Sequence, residues 1–230
     1  MVELGELRVR LDQMTERIVS RFKDRSRFPL NEAIYLTNGV PITGRSNISL
    51  LQFAIEGLET YHATLGRYNY PDQYPVLGLD LPSSRVERSI NNPSLSRLNI
   101  NTSEGLLTFY QNLLSKHCDH KHDPNTYGQT AYIDADLLEL IHERVNIGRY
   151  VAETKGFKDP IIYQLSAHND LLLSKLKDKV REEALVSRAR DIAKAYELDP
   201  EIAEQAFRWM IDKTLDIEIA YIQQVGVGNA

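Results

Sequence analysis

With 230 residues, 42% of them hydrophobic, the chain can bury a sizeable core; its 27 basic and 32 acidic residues are interspersed to a net charge of -5, which excludes bulk attraction to nucleic acid or an anionic membrane. A single cysteine, Cys118, excludes an intramolecular disulfide, and no apolar run reaches the length of a signal segment or a membrane span. The chain is therefore read as a cytoplasmic protein with one domain over residues 1–230, in which any anion must be bound locally.

Leu4, Leu7, Leu11, Met14, Ile18 and Phe22 recur at spacings of three and four and predict a helix of about six turns, ended by Phe28-Pro29. Arg8 lies on the edge of that stripe, where it is either a solvated arginine or a ligand contact. A second helix is expected over 49–68, carrying Leu51, Phe53, Ala54, Leu58, Tyr61 and Leu65. From Tyr70 to Ser103, Pro71, Pro75, Pro82 and Pro93 among serines and asparagines predict a long irregular connection, a kind of loop that often covers a site or forms an interface. A helix over 104–117, a polar loop over 118–130 and a helix over 133–155 follow. Lys158-Asp159-Pro160 punctuates the chain before a helix over 169–196. Asp199-Pro200 is an N-cap followed by proline at the first helical position, so a last helix starts there and runs to about residue 224, leaving a frayed tail. No strand pattern recurs, and the expected fold is an all-α, multi-helix bundle with long inter-helix loops.

The stretch Glu143 to Lys155 organises the functional reading. Arg144 and Lys155 are eleven positions apart, which at about 100° per residue returns to within about 20° of one direction on a helix. Between them on nearly the same face lie Gly148, Val151 and Ala152, so the stripe is either a solvated face or one with room for something negative. Asp178 and Glu182, one turn apart, share a partly apolar face with Arg181 beside them, as a surface charge cluster or as ligand contacts. In the last helix Thr214 and Glu218 interrupt the stripe of Phe207, Met210, Ile211, Ile217 and Tyr221. Glu218 is expected to be at least partly buried, with a raised pKa that lets it donate a hydrogen bond near neutral pH, unless it reaches out to a lysine at the bundle edge.

His117, Cys118, His120 and His122, with Asp119 and Asp123, lie in one short polar segment, whereas zinc ligands usually come from separated pairs; no metal is expected. No phosphate-cradling glycine loop and no Ser/His/Asp arrangement stands out.

Taken together, Glu143-Arg144 through Val151-Ala152-Glu153-Thr154-Lys155, then Asp178-x-x-Arg181-Glu182, then Thr214-x-x-x-Glu218, resembles the all-helical class of chorismate mutases, and Arg8 in Leu7-Arg8-x-x-Leu11-Asp12 matches that family's N-terminal arginine. The similarity spans about residues 4 to 222. Ser26-Arg27-Phe28, the run from Tyr61 to Tyr68, Tyr127-Gly128 and Tyr196-Glu197-Leu198-Asp199-Pro200 resemble the larger eukaryotic-type branch. The resemblance implies the pericyclic rearrangement of chorismate to prephenate in phenylalanine and tyrosine biosynthesis, without cofactor, metal or nucleophile. By analogy Arg8 and Arg144 grip the substrate's two carboxylates, with Thr214 assisting one of them. Lys155 and a protonated Glu218 donate to the ether oxygen, Glu182 and Asp178 accept from the ring hydroxyl and position neighbouring groups, and Arg181 orders the pocket. It also implies a homodimer. Effector binding in the family uses two consecutive arginines and a Gly-Ser pair; here those positions read Gly66-Arg67 and Gly128-Gln129, so weak or absent feedback control is expected. Isochorismate pyruvate-lyase, of similar fold and cation set, and a catalytically inactive helical effector-binding relative are the competing readings.

Overall fold

The computed structural model describes residues 4–87, 95, 100, 102–103 and 105–228. Its helices are α1 (Leu4–Arg25), α2 (Leu50–Thr64), α3 (Leu106–His117), α4 (Tyr127–Asn146), α5 (Gly148–Lys158), α6 (Ile161–Gln164), α7 (Asn169–Leu176), α8 (Lys179–Ala195) and α9 (Pro200–Gly228). Among the described residues the one β feature is an isolated bridge between Ile42 and Arg45. No described helix is long and apolar enough to cross a membrane.

The α1 stripe buries Leu7, Met14, Ile18 and Phe22, and the helix packs along α4, α5 and α8. α9 is the axis of the bundle, lying against α4, α5 and α8 with Phe207, Met210, Ile217 and Tyr221 buried. The core falls into two apolar clusters. One contains Phe22, Ile55, Tyr110, Leu137, Ile141 and Phe207; the other contains Leu7, Met14, Ile147, Tyr150, Leu176 and Tyr221.

A buried ionic node closes the first cluster where α1 ends. Arg25 and Asp134 are both 0% exposed and paired at 2.6 Å. The remaining guanidinium donors reach the carbonyls of Phe28, Pro29 and Leu30 and the Tyr35 hydroxyl, while Tyr35 and Tyr110 donate to the two oxygens of Asp134. All five N–H groups of Arg25 are therefore used, which is the condition under which a buried pair is tolerated.

Several expected boundaries differ. The helix expected over 133–155 is two, α4 and α5, breaking at Ile147 and reaching from Tyr127 to Lys158; the expected loop 118–130 therefore ends in a 3-10 turn at Pro124–Thr126 and the first turn of α4. The helix expected over 169–196 is also two, because Asp178 caps a new start. The helix expected over 49–68 ends at Thr64, and Gly66, at a left-handed φ of 77°, turns the chain into a short 3-10 turn at Arg67–Asn69. The expected frayed tail continues α9 to Gly228, since Gly226 lets that helix pass close to Tyr163 and Ser166. Of the irregular connection expected over 70–103, residues 70–87 form no α-helix, and 88–94, 96–99 and 101 lie outside the described residues.

Candidate active site

A cavity of about 190 Å³ opens at the seam of the two clusters. Leu11, Val151, Leu176 and Leu215 line it from one cluster and Leu185 and Ile211 from the other. Its volume is below the roughly 300–1,000 Å³ of drug-sized pockets, which suits a small metabolite. Its polar lining is Arg8, Arg144, Lys155, Asp178, Arg181, Glu182, Thr214 and Glu218. The structure thus brings together on one cavity, from α1, α4, α5, α8 and its cap, and α9, all eight residues expected there.

Arg144, in the last turn of α4, is 3% exposed, and its Nε–H has no hydrogen-bond acceptor among the described residues. The guanidinium lies 5.3 Å from the ring centre of Phe207. Burial and the neighbouring Arg181 push its pKa down to about 10, against the pull of Asp12, so it stays cationic at neutral pH. A buried cation without a full set of partners is costly, and an anion in the cavity would relieve that cost. Arg181 feels burial and Arg8 in the same direction. Arg8 itself is exposed, at the rim.

On α5, Lys155 Nζ donates to Glu218 Oε2 and to the Leu176 carbonyl, each at 2.7 Å. An ammonium has three donors, and among the described residues two are used, leaving one for a ligand. Burial raises the Glu218 carboxyl to about 7, with Lys155 opposing that shift. Four cations face three carboxylates across the lining: with Glu218 protonated the net charge is two positive, with it ionised one. The expectation that Glu218 is at least partly buried and the alternative that it meets a lysine both describe it, because that lysine is Lys155.

The α7–α8 break rearranges the pair expected on one helix face. Asp178 accepts from the Arg181 backbone N–H at 3.2 Å as the cap of α8, and Glu182 Oε1 accepts from the Asp178 N–H at 3.1 Å. The two carboxylates secure each other through the backbone, a capping-box logic, and each keeps a second oxygen for other work. Thr214 donates to the Met210 carbonyl at 2.7 Å. Gly148 sets its position: a Cβ there would lie 2.9 Å from the Thr214 carbonyl oxygen and 3.1 Å from its methyl group, so the glycine lets α5 and α9 approach. Gly148 as a spacer and the Leu176 carbonyl as a lysine acceptor were not read as site features in the sequence; the one signal was a glycine inside an otherwise helical run.

The other expected positions lie elsewhere. Arg67 pairs with Glu139 and, at 3.2 Å, with Glu143 near the end of α4. Gly128 and Gln129 are exposed in the first turn of α4, and eleven residues of helix, about 16 Å, separate Gly128 from Glu139. Arg67 and this glycine are not brought together within one chain. His117 meets Asp199 at 3.1 Å and His120 meets Glu32 at 3.2 Å, so the histidine-rich segment is divided among different partners. Among the described residues no group of three or more such side chains could hold a metal ion.

A family model described as chorismate mutase type II matches residues 126–219, a span that includes every polar cavity residue except Arg8. Over these residues the chain is similar to the chorismate mutase family. Among curated relatives, the chorismate mutase of Emericella nidulans is 25% identical over 97% of this chain and 92% of its own length. The crystal structure of the chloroplast chorismate mutase from Zea mays, 26% identical, covers 97% of this chain and 95% of its own with a TM-score of 0.87. That of the Candida albicans chorismate mutase in complex with L-Trp, 23% identical, shares the fold at a TM-score of 0.84, with 96% and 91% covered. Fungal and plant chorismate mutases of this length fit the eukaryotic-type branch.

Proposed function

We propose that the cavity binds chorismate and rearranges it to prephenate, supplying aromatic amino acid biosynthesis. The observation that carries this reading is a small cavity lined by four cations, with a buried arginine whose Nε–H has no acceptor among the described residues and a carboxyl whose pKa is near neutrality. The reaction is intramolecular and needs no nucleophile. Catalysis is therefore conformational restraint and preorganised charge.

Arg8 and Arg144 grip the two carboxylates, and Thr214 assists one of them by turning its one hydroxyl proton from the Met210 carbonyl to the substrate. This holds the flexible substrate in the compact diaxial form in which the bond-forming carbons meet. As the C–O bond breaks, negative charge grows on the ether oxygen. The free donor of Lys155 and the proton of Glu218 stabilise it. Glu182 and Asp178, tied to the start of α8, accept from the ring hydroxyl and position neighbouring groups, and Arg181 orders the pocket. Residues 1–230 act as one domain, in the cytoplasm and as a homodimer. Support for the dimer comes from Phe53, Tyr61 and Tyr132, which stand exposed on the mutually packed α2 and α4; light scattering on the eluted protein tests it, and a monomer mass rejects it.

Feedback control is weak or absent, because Arg67 is already neutralised by Glu139 and Glu143. Calorimetric titration with tyrosine and tryptophan is expected to show no tight binding, and tight binding of either would overturn this. The activity itself is tested by the loss of chorismate absorbance, with Arg144→Ala as control. Turnover by the parent and a loss of about 10² to 10³ in the variant are expected; an inert parent, or a variant equal to it, rejects the reading.

A further inference from the structure

One residue before Arg144, Glu143 closes a ring of polar contacts that contributes nothing to the cavity wall. Its Oε1 accepts from Arg10 Nη2 at 2.9 Å and its Oε2 from Arg67 Nη2 at 3.2 Å. Arg10 also reaches Asp72 at 3.3 Å, Asp72 accepts from Gln73 at 3.2 Å, and Gln73 accepts from Arg67 Nε at 3.0 Å. The ring is complete: Glu143, Arg10, Asp72, Gln73, Arg67 and back to Glu143. Arg67 continues it to Glu139, one turn earlier on α4.

The ring joins three segments at the level where two cavity arginines stand. Arg10 is two residues from Arg8 on α1, and Glu143 adjoins Arg144 on α4. Apolar packing between α1 and α4 is non-directional and tolerates sliding, whereas charge-assisted hydrogen bonds to both oxygens of one carboxylate fix register. A slip of one residue moves a helix by about 1.5 Å and would change the gap between the guanidinium groups of Arg8 and Arg144.

We propose that Glu143 is a positioning residue that sets the Arg8–Arg144 spacing and thereby selects substrates by the distance between their two carboxylates. This rests on the reading of the cavity as a dicarboxylate site. Asp72 is buried but Arg10 is 38% exposed, so the ring contributes more to register than to stability, and its variants fold.

The test uses Glu143→Gln, Arg10→Gln and the double variant of the full chain. Each single variant should raise KM for chorismate roughly tenfold with kcat within about twofold of the parent and little change in thermal midpoint, and the double should fall well short of the product of the singles, since the Arg10–Glu143 contact is lost in all three while each single also weakens one further ring contact. Competitive binding of succinate, glutarate and adipate gives a second readout: the parent should prefer one chain length and Glu143→Gln should lose that preference. Unchanged KM, KM effects that multiply in the double variant, a fall in kcat and midpoint with KM intact, or a parent without length preference would each overturn the proposal. A parent that binds dicarboxylates by length without turning over chorismate would instead reject the assigned reaction and leave the role of Glu143 standing.

Discussion

At Glu218 the balance between burial and the Lys155 ammonium leaves a carboxyl with a pKa of about 7 instead of 4.5. A raised carboxyl pKa means that folding favours the protonated form. Its contribution is therefore fully present below the unfolded value and is lost as pH rises through about 7, a change of order 3 kcal/mol. The same proton is the proposed donor to the ether oxygen, so kcat/KM should fall as pH rises through about 7. Glu218→Gln keeps a donor at every pH. Its rate profile should flatten on the alkaline side, and in urea denaturation it should gain stability over the parent at pH 8 but not at pH 4. A variant profile that overlays the parent's would remove Glu218 from the mechanism. The sequence located this residue because a carboxylate interrupted an apolar stripe, but nothing in that pattern could reveal that its partner would be Lys155, 63 residues away.

Two helix breaks shape the site at the level of elements. Hydrophobic periodicity predicted one helix from 169 to 196 and one from 133 to 155, since in both cases the pattern runs through the break with little change. At the first break Asp178 stops one helix and starts another, turning the proposed substrate-binding side chains Asp178 and Glu182 into a self-supporting cap. At the second, α5 begins at Gly148 and leans on Thr214 closely enough that a methyl group has no space. Gly148→Ala should separate α5 from α9, shifting Lys155 and Thr214 together. We expect a loss of about 1 to 3 kcal/mol in chemical denaturation and a fall in kcat/KM larger than that loss of folded protein explains. An alanine variant with parental kinetics would show that this close approach does not set the site.

For the molecule as a whole, the bundle depends on the ionic node that ties the end of α1 to α4 through Arg25 and Asp134. Asp134→Ala would leave the Arg25 cation buried without its counterion, and about 3 to 5 kcal/mol of stability should be lost. The pairing of Arg25→Met with Asp134→Leu should cost less than Asp134→Ala alone, which thermal and urea denaturation of the three proteins would check. The sequence by itself determined the helical class, from stripes at spacings of three and four, and pointed to the candidate lining, because Arg144 and Lys155 shared one helix face with small and apolar residues between them and Thr214 and Glu218 interrupted an apolar stripe. Those signals are local, and a single chain carries them. What only the tertiary structure decided was convergence: which stripe faces which, that Arg8 and Arg144 open onto the same cavity, that Arg67 is consumed by Glu139 and Glu143, and that Glu143 joins a closed ring. Those facts depend on how helices far apart in the chain turn toward one another, and periodicity within one helix does not encode the rotation or register of its neighbour.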